Sequence, residues 1–204
     1  MDEYIFNDWA QNGKSEIMET NHKSPIIKFL QNLEIVTQFT LLDIGCGNGW
    51  LVREVSKLNE CNMAIGIDNS KKMIENAQSK KRSQKENYVF GDINKYNFDS
   101  KFDYVFSMES LYYMLPMEKT LFKIYSLLKS GGIFVCGTDF YNENKSSTNW
   151  PKLMKIKMDL RSKKDWYKMF QKVGFRTRIK QIIDKQSDEE WKKKIGTLFI
   201  YGTK

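Results

Sequence analysis

Apolar runs alternate with amphipathic stretches from Phe39 onward. The run "FTLLDI" is short and mostly apolar, as is typical of a strand buried on both faces of a parallel sheet. The next stretch, "GWLVREVSKL", places Leu51, Val55 and Leu58 on one face of a helix. This alternation of strand and helix predicts an α/β domain built on a parallel sheet.

The alternation continues as far as Tyr141. Further strands are predicted in "CNMAIGID", "NYVFGDI", "KFDYVFSM" and "IFVCGTDFY", and further helices in "SKKMIENAQSKKR" and "PMEKTLFKIYSLLKSGG". Ser70 is placed to cap the start of the first of these helices. Pro116 near the first turn of the second helix, and Gly131 as its C-terminal stop, define its expected ends.

The C-terminal part of the chain breaks this rhythm. A polar, loop-like segment is followed by a helix in "KKDWYKMFQKVG", a strand in "FRTRIKQIID", a polar turn "KQSDEE" and a strand in "IGTLFIYGT". The last two strands are close in sequence, so we expect them to pair as an antiparallel hairpin. We predict one domain over 1–204, divided into an N-terminal helical cap (1–38), a core (39–138), an insertion or lid (139–162), and a last helix with the hairpin (163–204).

Composition is that of an ordinary soluble domain. The 204 residues are 41% hydrophobic and 28% charged, enough for one well-packed core. The N-terminus "MDEYIFNDWA" does not resemble a secretory signal, and no apolar run approaches the roughly 18 residues that span a bilayer. Cys46, Cys61 and Cys136 are odd in number and far apart, which favours reduced thiols. We therefore expect a cytoplasmic protein without membrane contact.

Positive charge is concentrated near the C-terminus. The net charge is +8, and residues 151–204 contain 16 basic against 6 acidic side chains. Such a surface suits phosphate binding, although lysines also commonly solvate the outer faces of helices and strands. With a single histidine and no paired cysteine motif, the sequence shows no recognisable set of metal ligands.

The stretch "LLDIGCGNGW" joins a strand to a helix through a glycine-rich turn, an arrangement that can bind a ligand at the helix N-terminus. It contains no lysine, so it is not a Walker loop. The spacing Gly45-x-Gly47-x-Gly49 puts Trp50 where the dinucleotide fingerprint has its third glycine. Asp43 would repel a pyrophosphate but would bind the ammonium group of an amino acid. These features argue against NAD.

Asp43-x-Gly45-x-Gly47-x-Gly49 resembles the D/E-x-G-x-G-x-G motif of class I S-adenosylmethionine-dependent methyltransferases. The resemblance extends from about Phe39 to Thr138. It includes "LLKSGGIFV", which is similar to the family's LKPGG turn with a serine in place of the proline. It implies a Rossmann-like three-layer sandwich, with a seven-stranded, mostly parallel sheet and a C-terminal antiparallel hairpin strand. The implied cofactor is S-adenosyl-L-methionine, and the product S-adenosyl-L-homocysteine.

The resemblance also implies roles for residues at the strand ends. Asp68 corresponds to the acid that binds both ribose hydroxyls, and Asp92 to the aspartate that accepts from the adenine amino group, with Ile93 beside the ring. The end of the fourth strand lies by the methionine portion and the transferred methyl. The expected cofactor-binding set is Asp43, Gly45, Cys46, Gly47, Asn48, Gly49, Asp68, Asn69, Met73, Asp92, Ile93, Ser107 and Met108.

Three side chains are candidates for chemistry at the acceptor. Methyl transfer is an in-line displacement, and a base is needed only if the acceptor must lose a proton. His22, on the cap, is either that base or a surface residue. Glu109 is a base, a binding group for a cationic acceptor, or a solvated side chain. Tyr112 or its neighbour Tyr113 either packs near the sulfonium or fills the core. The aspartate–histidine–glutamate sets of some catechol-type enzymes, with their metal, are not recognisable.

The identity of the acceptor stays open among three classes. Ser107-Met108-Glu109-Ser110 lacks the prolines of the [N/D/S]-P-P-[Y/F/W] motif, which argues against exocyclic N-methylation of bases. We expect a small-molecule acceptor enclosed by the cap and residues 139–162, with the protein a monomer or homodimer. The first alternative is an RNA or protein substrate on the basic C-terminal quarter, where bases could stack on Trp150, Trp166, Tyr167 and Trp191. The second is a non-catalytic protein that binds the cofactor.

Overall fold

A computed structural model describes residues 3–30 and 38–204. Its seven-stranded sheet has the order β3-β2-β1-β4-β5-β7-β6. The neighbours from β3 to β5 are parallel, and β7 is antiparallel to both β5 and β6, which confirms the predicted sheet and its hairpin. The strands are β1 Phe39–Ile44, β2 Cys61–Asp68, β3 Glu86–Phe90, β4 Phe102–Met108, β5 Leu128–Thr138, β6 Arg176–Ile182 and β7 Thr197–Thr203.

Helices cover both faces of the sheet. One apolar core lies between the sheet and the face that carries α5 and α7, and a second lies between the sheet and the face that carries α2, α3 and α4. This is the predicted three-layer sandwich. The helices are α1 Glu3–Gln11, α2 Lys14–Leu30, α3 Trp50–Ser56, α4 Lys71–Ser79, α5 Met117–Leu127, α6 Trp150–Met154, α7 Lys163–Val173 and α8 Glu190–Lys194, with a 3-10 helix at Leu111–Tyr113.

Of two predicted helix boundaries, the start of α4 is confirmed and the end of α5 is wrong. The Ser70 side chain accepts a hydrogen bond from the Met73 amide at 3.2 Å, which confirms the predicted cap of α4. Helix α5 ends at Leu127 and not at Gly131, because Leu128 is already buried in the sheet opposite Phe102. Gly131 instead lies within β5, with φ at 77°.

The predicted cap is a pair of helices, of which α1 is tied to α4. The Asn7 side-chain oxygen accepts from the Ser70 hydroxyl at 2.7 Å, and the Asn76 amide donates to the Ala10 carbonyl at 2.8 Å. Residues 1–2 and 31–37 of the predicted cap lie outside the described residues. The cap therefore rests above the carboxyl ends of the strands at one edge of the sheet.

The C-terminal quarter differs from the sequence expectation in its aromatic side chains. Trp166 is fully buried and packs edge-on against Phe170 in the core, so the idea that it stacks on nucleotide bases is wrong. The segment between β6 and β7 also contains α8, whose Lys192 is buried. All three cysteines are buried free thiols. No helix among the described residues is long and apolar enough to span a membrane.

Candidate functional site

A crevice lies where the parallel strands end at one edge of the sheet. In the order β3-β2-β1-β4, strands β2 and β3 lie on one side of β1 and β4 lies on the other. The loops after these four strands therefore meet at one edge of the sheet. Side chains of α1 and α2, among them Phe6, Trp9 and Met18, close it from above. Every residue expected to bind the cofactor lines this crevice except Gly49 and Ser107.

The glycine turn between β1 and α3 forms the floor of the crevice. Gly45 has φ at 71°, and a Cβ atom there would lie 2.4 Å from the Cβ of Ser110. Gly49 has φ at 76°, and a Cβ atom there would lie 2.4 Å from a ring carbon of Tyr88. Gly49 thus serves the packing of α3 against the neighbouring strand, whereas Gly45 and Gly47 present backbone to the crevice.

Asp68 links the end of β2 to the glycine turn. Its carboxylate accepts hydrogen bonds from the Gly47 amide at 2.9 Å and the Ser70 amide at 2.8 Å. Burial raises the pKa of Asp68 above its ordinary value, although these amides act in the opposite direction. The carboxylate is therefore held rigidly at the centre of the crevice.

Asp43, at the end of β1, is the second buried acid in the floor. Burial, and then the charge of Asp68, raises the pKa of Asp43 to about 8. Two neighbouring acids that resist ionisation in the free protein would each be stabilised as carboxylates by a cationic ligand. A positively charged ammonium or sulfonium group thus complements this floor, and a pyrophosphate does not.

Asp92 and Ile93 mark the opposite end of the crevice, after β3. The Asp92 side chain is 44% exposed and accepts from the Asn94 amide at 2.9 Å, while Ile93 is buried. Residues 155–157 of the insertion approach Asp92 from outside, in a neighbouring depression. The crevice itself has no lining residue from 139–162; among the described residues the cap helices cover it, and the insertion lines only the neighbouring depression.

Ser107 was expected to bind the cofactor, but it does not line the crevice. It is fully buried within β4, and its hydroxyl lies 2.6 Å from that of Ser110. Ser110 lines the crevice instead and donates to the Ile44 carbonyl at 2.8 Å. Ser110 thus braces the end of β1 against the loop after β4.

Glu109 lies directly after β4 with φ at 51°, an uncommon conformation for a non-glycine residue. It lines the crevice, and its carboxylate accepts from the Tyr112 hydroxyl at 2.8 Å and from the Asp139 amide. Burial, and then the charge of Asp139, raises the pKa of Glu109 well above its ordinary value. Glu109 is therefore not a solvated surface acid.

Tyr112 and Tyr113 have different places. Tyr112 is buried behind Glu109 and does not line the crevice, so the expectation that it contacts the sulfonium is corrected. Tyr113 does line the crevice, with its ring 5.1 Å from that of Phe6 on the cap. Tyr112 acts on the site only through its hydrogen bond to Glu109.

His22 is buried, so it is not the surface residue that the sequence left open. Its Nε2 lies 3.3 Å from Asp139 Oδ2, and the ammonium of Lys192 lies 3.6 Å from the same oxygen. Lys192 also donates to the carbonyl of Asn21 on α2 at 2.8 Å. Burial acts to raise the pKa of Asp139, but the hydrogen bond from His22, the charge that His22 has when protonated, and the charge of Lys192 outweigh it and lower that pKa.

His22, Glu109 and Asp139 form a set that the sequence analysis did not anticipate. One donor atom from each lies within 4.8 Å of the others, a separation that a divalent cation can bridge. The set could not be recognised in the sequence, because its three residues come from distant segments of the chain. Because the Lys192 ammonium already lies beside Asp139, the set is better described as a charge network than as a metal centre.

Comparisons with known proteins agree with this geometry. A family profile described as "Methyltransferase domain" matches residues 35–174. The sterol 24-C-methyltransferase of Clavispora lusitaniae is 32% identical over 121 residues, which cover 55% of this chain and 32% of that protein. The chain thus spans about a third of the length of this curated relative.

Solved structures extend the likeness to almost the whole chain. A methyltransferase of Haloferax volcanii, in complex with the Trm112 methyltransferase activator, superposes with a TM-score of 0.91 at 26% identity, over 97% of this chain and 96% of that one. A phosphoethanolamine N-methyltransferase of Haemonchus contortus, in complex with S-adenosyl-L-methionine, gives 0.74 at 18% identity, over 98% and 60%. The second likeness concerns the fold alone.

Proposed function

The chain belongs to the class I S-adenosylmethionine-dependent methyltransferases, and we propose that it transfers the cofactor's methyl group to a small molecule enclosed in the crevice. The observation that carries the proposal is the row of acids along the strand ends. Asp92 follows β3, Asp68 is the last residue of β2, and Asp43 lies at the end of β1; these three strands are neighbours in that order. The three parts of the cofactor would bind in that order, with adenine at Asp92, ribose at Asp68 and the methionine ammonium at Asp43.

The covering of the crevice supports a small acceptor. The cap brings Phe6, Trp9 and Met18 over the glycine turn, and Glu19 of α2 accepts from the Asn48 side chain at 3.0 Å. A polynucleotide or a folded protein would need this cover removed. The sterol 24-C-methyltransferase relative is named for a small acceptor, and this also supports the proposal.

The proposed chemistry is an in-line displacement at the methyl carbon. The crevice would align the acceptor with the carbon–sulfur bond, which supplies much of the rate. In the neutral form of His22 with the proton on Nε2, that nitrogen would donate to Asp139, and Nδ1 would be the nitrogen free to take a proton from the acceptor. Glu109 would contact the acceptor, and Tyr112 would position Glu109 through its hydroxyl.

Calorimetric titration with S-adenosyl-L-methionine and S-adenosyl-L-homocysteine tests the cofactor part of the proposal. We expect both to bind at one site per chain, since both carry the adenosine and the ammonium that the three acids would hold. A protein that binds both but never releases S-adenosyl-L-homocysteine with any small molecule would be a non-catalytic binder. RNA binding that weakens steeply as salt rises would instead favour the nucleic-acid alternative.

The basic C-terminal quarter gives that alternative limited support. Trp166 is buried, Lys192 is paired with Asp139, and Lys172 is 2.7 Å from Glu118. These side chains are already engaged within the fold. A small acceptor requires no such surface, and the basic residues then serve mainly as solvated or paired groups.

The haloarchaeal methyltransferase also suggests a protein partner. Its likeness to this chain extends over nearly the whole of both chains at a TM-score of 0.91. We therefore propose that this chain binds a Trm112-type protein. Co-expression with such a protein from the source organism is expected to give a complex that co-elutes on size exclusion and raises the yield of folded chain. Separate elution, with an unchanged yield, would argue against this partner.

A further inference from the structure

The acceptor end of the crevice can be placed by the order of the strands. Asp92 follows β3 and Glu109 follows β4, and β2 and β1 lie between them in the sheet. Both side chains line the same crevice. If adenine lies at Asp92, as the proposed function has it, the transferred methyl lies toward Glu109, with His22 beside it on the cap.

Glu109 makes no direct ion pair within the described residues. It is 8% exposed, and the Lys192 ammonium, whose charge also acts on Glu109, is engaged with Asp139. Asp139 Oδ1 is buried and accepts no hydrogen bond there. A cation entering the crevice at Glu109 would be stabilised, whereas a phenolate, carboxylate or phosphate would be repelled.

Aromatic side chains line the same crevice as Glu109. Phe6, Trp9 and Tyr113 form a chain of edge-to-face contacts, with ring centroids 5.5 Å and 5.1 Å apart. Such walls accommodate a hydrocarbon body, and aromatic faces attract cations. The ligand that fits has one positive group and an apolar remainder.

We infer that the methyl acceptor is an amine with a small apolar body, bound as its ammonium form by the Glu109 carboxylate. This inference rests on the proposed methyl transfer and names its acceptor class. Each oxygen of Glu109 accepts one hydrogen bond from the protein, which leaves lone pairs for an N–H donor from the crevice.

The chemistry of an amine also explains the basic group beside Glu109. An ammonium nitrogen has no lone pair, so it must first lose a proton, and His22 Nδ1 can accept it. The nitrogen lone pair then forms the bond to the methyl carbon as the carbon–sulfur bond breaks and its electrons return to sulfur. The products are an N-methylammonium and the neutral thioether, and His22 returns its proton to solvent.

A matched set of probes tests the inference without turnover. Benzylamine, benzyl alcohol and benzoate share one body and differ in charge, and each is titrated into protein saturated with S-adenosyl-L-homocysteine. A charged hydrogen bond is worth about 1.5–3 kcal/mol, so benzylamine should bind about 10- to 150-fold more tightly than benzyl alcohol. Glu109→Gln should remove that preference, and Glu16→Gln, on an exposed part of α2, should keep it.

The outcomes separate this inference from the proposed function. If the protein does not bind S-adenosyl-L-homocysteine, the proposed function fails before the acceptor is tested. If it does, equal binding of amine and alcohol, tighter binding of benzoate, or no binding of any probe would overturn the inference. Formation of N-methylbenzylamine from S-adenosyl-L-methionine, detected by mass spectrometry, would support it directly. Tight Mn²⁺ or Zn²⁺ binding that requires Glu109 would assign the cluster to a metal and also overturn it.

Discussion

Replacing Asp68 by alanine is expected to weaken binding of S-adenosyl-L-methionine and S-adenosyl-L-homocysteine by about 100-fold or more. In the proposed binding mode this buried carboxylate accepts from both ribose hydroxyls, and each charge-assisted hydrogen bond contributes about 1.5–3 kcal/mol. Asp68 also holds the Gly47 amide at 2.9 Å, so the substitution loosens the glycine turn. Calorimetric titration of both ligands measures the loss.

Two further variants locate the cause of that loss. Asp68→Asn keeps one acceptor oxygen and the shape of the side chain, so it should bind more tightly than Asp68→Ala but less tightly than the unchanged protein. Glu75→Gln, an exposed acid on the adjacent helix α4, should bind normally. Nearly unchanged affinity in a folded Asp68→Ala protein would show that the ribose is held elsewhere.

The cofactor half of the crevice could be predicted from the sequence because its elements are local. A strand, a glycine turn and a helix occur within one short stretch, and Asp68 and Asp92 each follow a recognisable apolar run. Parallel strands then bring their carboxyl ends to one edge without further information. The error at Ser107 has an equally local cause, since successive side chains of a strand point to opposite faces and only Met108 faces the crevice.

The acceptor half could not be predicted in the same way, because its contacts join distant segments. His22 comes from α2, Glu109 from the loop after β4, Asp139 from the loop after β5, and Lys192 from α8. Nothing in the run "WKKKIG" distinguishes the buried lysine from its exposed neighbours. The roles of Tyr112 and Tyr113 were likewise open, since adjacent residues in a 3-10 helix face different sides. Tertiary packing alone decides these positions.

The charge network also connects α8, a short helix near the C-terminus, to the cap. Lys192 contacts Asp139 of the core and the Asn21 carbonyl of α2, so one ammonium joins both parts. His22 makes a second link from α2 to Asp139. The cap is therefore fastened at the acceptor end by buried charges, and at the opposite side by the hydrogen bonds between α1 and α4.

Replacing Asp139 by alanine is accordingly expected to destabilise the protein by about 3 kcal/mol, because it leaves the buried ammonium of Lys192 without a counter-charge. Relief of the repulsion on Glu109 reduces the loss but does not cancel it. In the double variant Asp139→Ala/Lys192→Met the buried charge is gone, and we expect at least half of the lost stability to return. Urea unfolding at pH 7.5 measures both changes.

The pH dependence of the difference in stability between the unchanged and Asp139→Ala proteins gives an independent check. The pKa of Asp139 is lower in the folded protein than its ordinary value, so its carboxylate contributes stability above the unfolded-state pKa of about 4. That contribution is lost as pH falls through the lower folded pKa, and the unchanged and Asp139→Ala proteins should converge there. A loss of under about 1 kcal/mol at pH 7.5, or a double variant no more stable than Asp139→Ala, would show that Lys192 does not depend on this carboxylate.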